Sequence, residues 1–197
     1  MTKKTVFYFV FDGLADWEAS HALAGVSKSN KFKIKTIGLD KNPKQSMAGV
    51  TILPDVDFIP WVDLHDIDAS NTAMLILPGG TGWRENANDG IADLVLHCIR
   101  KQIPVAAICD ATTFLAELQV LEHVDHTGSD YVYLQSASPR YAGGEHYRMK
   151  PAVRDSGIIT ANGTAAIEFA REIFEALEIS DNENVQQWFH YFERLPT

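Results

Sequence analysis

Cys109 lies where an apolar run, Val105 to Ile108, gives way to a helical pattern that begins at Ala111. The small side chains of Ala107 and Ala111 permit a tight turn, which would hold the sulfur out of a sheet. The free N–H groups at the start of the following helix favour a thiolate, so this position suits a nucleophile. The alternative is a buried core cysteine, because cysteine is among the most buried residue types.

Cys98 has a different setting, in the middle of an amphipathic helical pattern beside Leu94 and Val95, and we predict that it is a core residue. The chain's two cysteines are too few for a disulfide scaffold, and they lack the paired CxxC spacing of a structural zinc site. The sequence therefore indicates a reducing compartment, and we expect a cytoplasmic protein.

Two other segments follow strand-like runs and carry groups capable of chemistry. Asp12 to Glu18 follows the first such run, and Pro78 to Gly82 follows a later one. In open parallel sheets, functional groups collect where the strands finish. We therefore expect these two segments, together with Cys109 to Thr113, to form the functional end of a sheet.

The elements that position these segments alternate between strands and helices. Strands are predicted at Thr5 to Phe11, at Phe32 to Leu39, around Val50 to Leu53, from Ala73 until Pro78-Gly79-Gly80, at Val105 to Ile108 and at Gly157 to Thr160. Helices are predicted at Ala15 to Val26, Ile91 to Arg100, Ala111 to Leu118, Ala165 to Leu177 and Asn184 to Phe192. Continuous apolar strands between helices favour an α/β fold, with a mostly parallel sheet covered on both faces. The last helix places Val185, Trp188, Phe189 and Phe192 on one side, which is typical of a core or dimer contact.

The chain has 197 residues without a linker or an internal repeat, so we expect one domain, residues 1–197. Its 17 Lys and Arg against 26 Asp and Glu give a net charge of −9, which argues against nucleic acid as a partner. No apolar stretch reaches the roughly 18 residues that cross a bilayer, so no membrane association is predicted. The run from Val6 to Phe11 is too short for a signal-peptide core.

Two patterns suggest a metal or a cofactor but lack the rest of such a site. His123-x-x-His126 has no third ligand at a suitable spacing, so no metal is predicted. Gly79-Gly80-x-Gly82 has neither the GxGxxG spacing of a dinucleotide site nor the Lys-Ser/Thr of a phosphate-binding loop. We therefore predict no cofactor.

Four segments together resemble the ThiJ/PfpI family of the class I glutamine amidotransferase-like superfamily, which includes protein deglycases. They are the elbow AAICDATTFLA, the glycine pair of MLILPGG, DGLADWE after the first strand, and the closing GGEHYRMKPAVRDSGIITANGTAAIEFAREIFEAL. The resemblance spans nearly the whole chain and keeps the family order. It implies a flavodoxin-like α/β sandwich, usually a homodimer, with a reactive cysteine at the elbow.

The resemblance also implies roles for single residues. Cys109 matches the elbow cysteine, and Glu18 matches the acidic residue that hydrogen-bonds that cysteine in many members. From its position alone, Glu18 would instead be a solvated helix-face glutamate. Gly79 and Gly80 match the loop whose N–H groups, with that of Asp110, would form an oxyanion pocket. Because a protonated carboxyl can donate to a thiolate, we predict a raised pKa for Glu18 and a lowered pKa for Cys109.

The chain departs from the protease-like members of that family at the residue after the cysteine. Those members place His there, whereas this chain has Asp110, which removes the nearest general base and weakens a peptidase interpretation. His126, in VDHTGSD, lies in the region where other members supply a histidine, which implies a catalytic role. A lone histidine in a polar turn is otherwise a solvent-exposed residue.

Two functions from different classes fit these residues. In the first, Cys109 attacks an electrophilic carbonyl or amide carbon of a small molecule, and the N–H groups of Gly80 and Asp110 stabilise the oxyanion. Glu18 manages the proton, and His126 assists. The resemblance allows amidase or hydrolase chemistry and glyoxalase- or deglycase-type chemistry on reactive aldehydes. In the second, Cys109 is a redox sensor in a protein that acts through partners or as a stress chaperone.

Overall fold

A computed structural model of the protein describes residues 3–58, Leu64 and residues 67–192. The strands are β1 (Thr5–Phe9), β2 (Lys33–Gly38), β3 (Lys44–Gln45), β4 (Thr51–Ile52), β5 (Val56–Asp57), β6 (Thr72–Leu77), β7 (Val105–Ile108), β8 (Ala152–Asp155) and β9 (Ile158–Ala161). The α-helices are α1 (Asp16–Ser29), α2 (Ala92–Arg100), α3 (Ala111–Glu117), α4 (Tyr131–Ala137), α5 (Ala166–Ala176) and α6 (Glu183–His190).

Seven of these strands form one sheet in the order β5-β2-β1-β6-β7-β9-β8. Every pairing in it is parallel except that of β8 with β9. β3 and β4 form a separate antiparallel pair. The sheet and the helices around it confirm the predicted α/β, flavodoxin-like fold class.

The middle of the sheet is the core of the fold. Every residue of β6 and of β7 is buried, and Phe9 of β1 is fully buried as well. A strand covered on both faces needs apolar side chains at consecutive positions, which is why these runs show no alternation. β2 does alternate, with Lys33 and Lys35 exposed, and it lies one strand from the edge.

The carboxyl ends of β1, β6 and β7 meet at one end of the sheet, because these three strands are parallel neighbours. From β1 the chain goes to β2 on one side, while β6 and β7 lie on the other side. A parallel sheet of this order has a crevice at the strand ends where its direction of winding reverses. The three segments that the sequence selected leave the sheet there.

Helices α1 and α5 pack against each other, and Gly25 permits their close approach. A Cβ at Gly25 would lie 2.1 Å from the ring of Phe174, so no larger residue fits without a shift of that ring. α1 is therefore fixed on α5, and its first turn carries Glu18 to the end of the sheet.

The sequence analysis missed four of the strands and α-helices that the structure describes: the short strands β3 and β5, the edge strand β8 and helix α4. β8 is an edge strand in which Arg154 is exposed and Asp155 half-buried, so it lacks the apolar run that marks the central strands. α4 begins after Asp130, whose side chain accepts the N–H of Tyr133 at 2.9 Å. This capping bond starts a helix of only seven residues, which is too short to show a clear helical periodicity in the sequence.

The predicted boundaries shift at both ends of the chain. β1 ends at Phe9 rather than Phe11, although the N–H of Val10 still donates to the Ile37 carbonyl at 2.9 Å. In the last helix Val185 is buried, as predicted, whereas Phe192 is partly exposed and contacts the ring of His21. The side chains of Trp188 and Phe189 lie outside the described part of the structure. Among the helices that are described, none has the length and apolarity to cross a membrane.

Candidate active site around Cys109

Cys109 occupies a sharp turn between β7 and α3. Its N–H donates to the Ala161 carbonyl at 3.0 Å, and its own carbonyl accepts the N–H of Thr112 at 3.0 Å. The residue has a φ of 59°, a left-handed conformation that is uncommon for residues other than glycine. Such a turn directs the side chain away from the strand that it follows, and backbone strain of this kind clusters at active sites and ligand clamps. Cys109 is partly exposed, whereas Cys98 is a buried core residue, as predicted.

Two glycines leave the space that the cysteine and Glu18 occupy. A Cβ at Gly79 would lie 2.5 Å from Oε2 of Glu18 and 2.6 Å from Cβ of Cys109. A Cβ at Gly163 would lie 2.7 Å from Sγ of Cys109. Sequence reasoning missed Gly163, although the NGT turn after the last predicted strand was a signal for it. The Cys109 sulfur and the Glu18 carboxyl therefore lie in one pocket, which is bounded by the backbone at Gly79 and Gly163.

Glu18 is buried with only 1% of its surface exposed, so it is not the solvated helix-face glutamate of the alternative interpretation. Its Oε2 accepts the N–H of Gly79 at 2.6 Å. Burial raises the pKa of Glu18 from 4.5 to about 7, while the Gly79 N–H and the Cys109 thiol act in the opposite direction. The charge of Asp110 raises the pKa further. This raised pKa agrees with the direction that the sequence analysis predicts.

The predicted low pKa of Cys109 is wrong for this site. Burial, then the negative charges of Glu18 and Asp110, raise the pKa of the thiol to about 12, and only Ser129 among its main neighbours lowers it. The sequence argument relied on the start of α3, but a helix of seven residues does not offset burial and two carboxylates. The resting cysteine is therefore a neutral thiol. Ser129, which interacts with that thiol, is a second residue that sequence reasoning missed.

Two backbone N–H groups beside the cysteine have no acceptor among the residues that the structure describes. In the described part of the chain, neither the N–H of Gly80 nor that of Asp110 donates to any group. Gly80 has a φ of 145° and passes so close to Gly13 that a Cβ would lie 2.3 Å from the Gly13 carbonyl oxygen. Reciprocal bonds hold it there, from the Ala15 N–H to the Gly79 carbonyl and from the Thr81 N–H to the Gly13 carbonyl.

The side chain of Asp110 is buried and fully engaged. Its Oδ2 accepts from Nε of Arg84 at 2.7 Å, and its Oδ1 accepts from the Tyr133 hydroxyl at 3.1 Å. The sequence analysis assigned only the backbone N–H of Asp110 to the site. The carboxylate instead ties Arg84, which follows the glycine pair, to the residue next to Cys109.

His126 is completely buried, so it is not the exposed histidine of a polar turn. Its Nδ1 donates to the Val124 carbonyl at 2.7 Å, and its Nε2 accepts from the Tyr141 hydroxyl at 2.6 Å. Burial lowers the pKa of His126. Both ring nitrogens are occupied by these partners, so the structure does not join His126 to Cys109 or Glu18 by a hydrogen bond.

An α/β sandwich with a cysteine on a strained strand-to-helix turn, facing a buried carboxyl, defines a class of proteins with a nucleophile elbow. Comparison with known proteins narrows that class. The family model for the DJ-1/PfpI family matches residues 4–176. The chain belongs to the DJ-1/PfpI family.

Relatives and solved structures agree with this assignment. The chain is 30% identical over 196 residues to "Uncharacterized protease YoaZ" of Bacillus subtilis, covering 96% of this chain and 90% of the relative. It is 32% identical over 187 residues to "Uncharacterized protease YdeA" of the same organism, covering 95% and 90%. The DJ-1 superfamily protein Atu0886 of Agrobacterium tumefaciens is 29% identical with a TM-score of 0.84, covering 96% of this chain and 97% of that one. A thiJ/pfpI family protein of Bacillus anthracis is 30% identical with a TM-score of 0.84, covering 98% and 92%.

Proposed function

We propose that the protein is an enzyme whose Cys109 adds to an electrophilic carbonyl carbon of a small molecule. This first step is common to amidase or hydrolase chemistry and to glyoxalase- or deglycase-type chemistry on aldehydes. The observation that carries the proposal is the buried Glu18 carboxyl, which interacts with the thiol and has a pKa of about 7. A general base is most effective when its pKa lies near the operating pH.

Glu18 accepts the thiol proton while the bond from Sγ to the carbonyl carbon forms. The pKa of Cys109 lies above that of Glu18, so a complete proton transfer before attack is uphill. Transfer concerted with attack avoids an intermediate in which a buried thiolate lies beside the Asp110 carboxylate. The electron pair of the C=O bond moves to oxygen, and in this proposal the N–H groups of Gly80 and Asp110 donate to that oxyanion.

The next step depends on the substrate. With an ester or amide, the oxyanion collapses, the leaving group departs with the proton held by Glu18, and water hydrolyses the thioester. With an α-oxo aldehyde, the addition gives a hemithioacetal after the oxygen takes the proton. His126 has no part in either sequence, because its ring nitrogens are bound to Val124 and Tyr141.

The two Bacillus subtilis relatives are named as uncharacterized proteases, which raises peptides as a second substrate class. In this chain the residue after Cys109 is a buried Asp110 paired with Arg84, which offers no imidazole base. We therefore place small molecules ahead of peptides. The redox-sensor alternative is weakened for a related reason, since susceptibility to oxidation follows thiolate character and the pKa of Cys109 is raised.

The test is turnover by the whole protein of four probes: p-nitrophenyl acetate, a p-nitroanilide, methylglyoxal and casein. We expect turnover of at least one small probe, lowered about 1,000-fold or more in Cys109→Ala. Cys98→Ala is the matched control and should keep the activity, because Cys98 lies in the core away from the elbow. Equal turnover by Cys109→Ala and the wild type on every probe would refute the proposal, and turnover of casein alone would favour a peptidase.

A further inference from the structure

Arg84 is the one arginine tied to the residue next to Cys109 in the part of the chain that is described. It lies at the end of the short 3₁₀ turn Thr81–Trp83, directly after the glycine pair. Its Nε donates to Oδ2 of Asp110 at 2.7 Å. Arg84 therefore connects the two backbone segments whose free N–H groups belong to Gly80 and Asp110.

The Arg84 guanidinium still has N–H donors available on its exposed side. Its side chain is 63% exposed, whereas its partner carboxylate is 4% exposed. Asp110 and the Tyr133 hydroxyl are the groups that engage it within the described residues. A guanidinium has five N–H donors in a rigid fork, so several remain available to a second planar anion.

The orientation of the Arg84 guanidinium is fixed by its hydrogen-bond partners Asp110 and Tyr133. The Tyr133 hydroxyl also donates to Asp110, so Arg84, Asp110 and Tyr133 form a closed polar cluster. A guanidinium anchored through Nε loses little further side-chain freedom when its other nitrogens bind a ligand. The cluster is thus preorganised beside the elbow.

We propose that Arg84 receives an anionic group of the substrate, so that the site selects small carbonyl or amide compounds that carry a carboxylate. This inference rests on the proposed function, since it names the substrate class of the same site. It also explains how an anionic substrate could bind at a site surrounded by negative charge. The net charge of −9 and the carboxylates of Glu18 and Asp110 repel an anion, and Arg84, paired with Asp110, supplies a positive charge beside the elbow.

The experiment compares two alkylating reagents that differ in charge. Iodoacetate and iodoacetamide both form a bond from Sγ of Cys109 to carbon with loss of iodide, but only iodoacetate carries a carboxylate. The measured quantity is the ratio of the two rates at Cys109, divided by the same ratio for glutathione at the same pH. A change in thiol pKa alters both rates equally and cancels from the ratio.

We expect the wild-type ratio to exceed one and to fall about fivefold in Arg84→Gln. Arg84→Lys keeps a positive charge and should retain part of the preference. Arg140→Gln is the matched control, because Arg140 is 59% exposed and binds Glu117 through Nε at 2.6 Å. Its ratio should equal that of the wild type.

A ratio that Arg84→Gln leaves unchanged, or equal slowing of both reagents in that variant, would overturn the inference, since either result gives Arg84 a purely structural role. The alkylation needs no turnover. A protein that turns over no substrate but shows the Arg84-dependent ratio would contradict the proposed function alone, and a Cys109-dependent enzyme with an unchanged ratio would contradict this inference alone.

Discussion

Replacement of Glu18 by Gln should make the protein more stable and less active at the same time. Glu18 is 1% exposed, and burial raises its pKa from 4.5 to about 7 in the folded protein. The neutral acid is therefore the form that the fold favours. The stability that this group contributes is present below pH 4.5 and is lost as the pH rises through about 7.

The size of the effect follows from the shift. At about 1.4 kcal/mol for each pKa unit, moving from 4.5 to about 7 costs the folded protein on the order of 3 kcal/mol above pH 8. Gln is neutral at every pH, and its oxygen can still accept the Gly79 N–H. Glu18→Gln should thus raise the melting temperature by roughly 6 to 12 °C at pH 8 and by much less at pH 5.

Activity should change in the opposite direction. Only the ionised carboxyl accepts a proton, so wild-type kcat should rise with pH through about 7. Glu18→Gln removes that base and should lower kcat by about 100-fold or more. Asp in place of Glu18 keeps a base but shortens its reach, so Glu18→Asp should fall between the two.

The assay is thermal unfolding of wild type and variants at pH 5 and pH 8, together with the pH profile of kcat. Glu183→Gln, at an exposed position of α6, is the control and should change neither quantity. The reasoning would be refuted if Glu18→Gln gained no more stability at pH 8 than at pH 5. It would also be refuted if the variant kept wild-type kcat.

Three further predictions concern the cysteines, the pocket wall and the assembly. Iodoacetamide should label Cys109 before Cys98, because Cys109 is partly exposed, and its rate should still rise above pH 9, since the pKa of the thiol is about 12; mass-resolved labelling that reaches a plateau below pH 8 would contradict this. Gly163→Ala places a methyl group 2.7 Å from Sγ and should abolish turnover, whereas Gly49→Ala, with open space around it, should lose only stability, about 1 kcal/mol. We propose a homodimer, so light scattering should give about twice 21.9 kDa, and a mass of 21.9 kDa at all micromolar concentrations would refute it.

The central sheet could be predicted from the sequence because strands that are buried on both faces need apolar residues at consecutive positions. β1, β6 and β7 lie within runs of apolar residues, and the run of β6 is ended by Pro78, whereas the run of β1 continues to Phe11, beyond the end of the strand. Elements at the edge of the sheet or outside it have a weaker sequence pattern. β8 mixes Val153 with the exposed Arg154, and α4 depends on one capping bond from Asp130, which composition does not reveal.

For the site, the sequence could identify positions but not the balance of forces between them. Glu18, Gly79 and Cys109 come together as the resemblance implied, because three adjacent parallel strands end beside one another. The pKa of Cys109 depends on how deeply the thiol and two carboxylates are buried, and burial of that kind follows from packing between distant segments. Ser129 illustrates the same limit, since it reaches the thiol from a loop far along the chain.

Asp110 connects the two proposals. In the proposed mechanism it supplies an N–H to the oxyanion pocket, and its charge adds to burial and to Glu18 in raising the pKa of Cys109. The same charge holds Arg84, and a guanidinium so held can neutralise an incoming carboxylate. Arg84 and Asp110 together carry no net formal charge, and a substrate carboxylate bound to Arg84 would make this cluster negative. A negative cluster disfavours a developing thiolate, which adds a reason for proton transfer to Glu18 and attack on the carbonyl to occur together rather than in sequence.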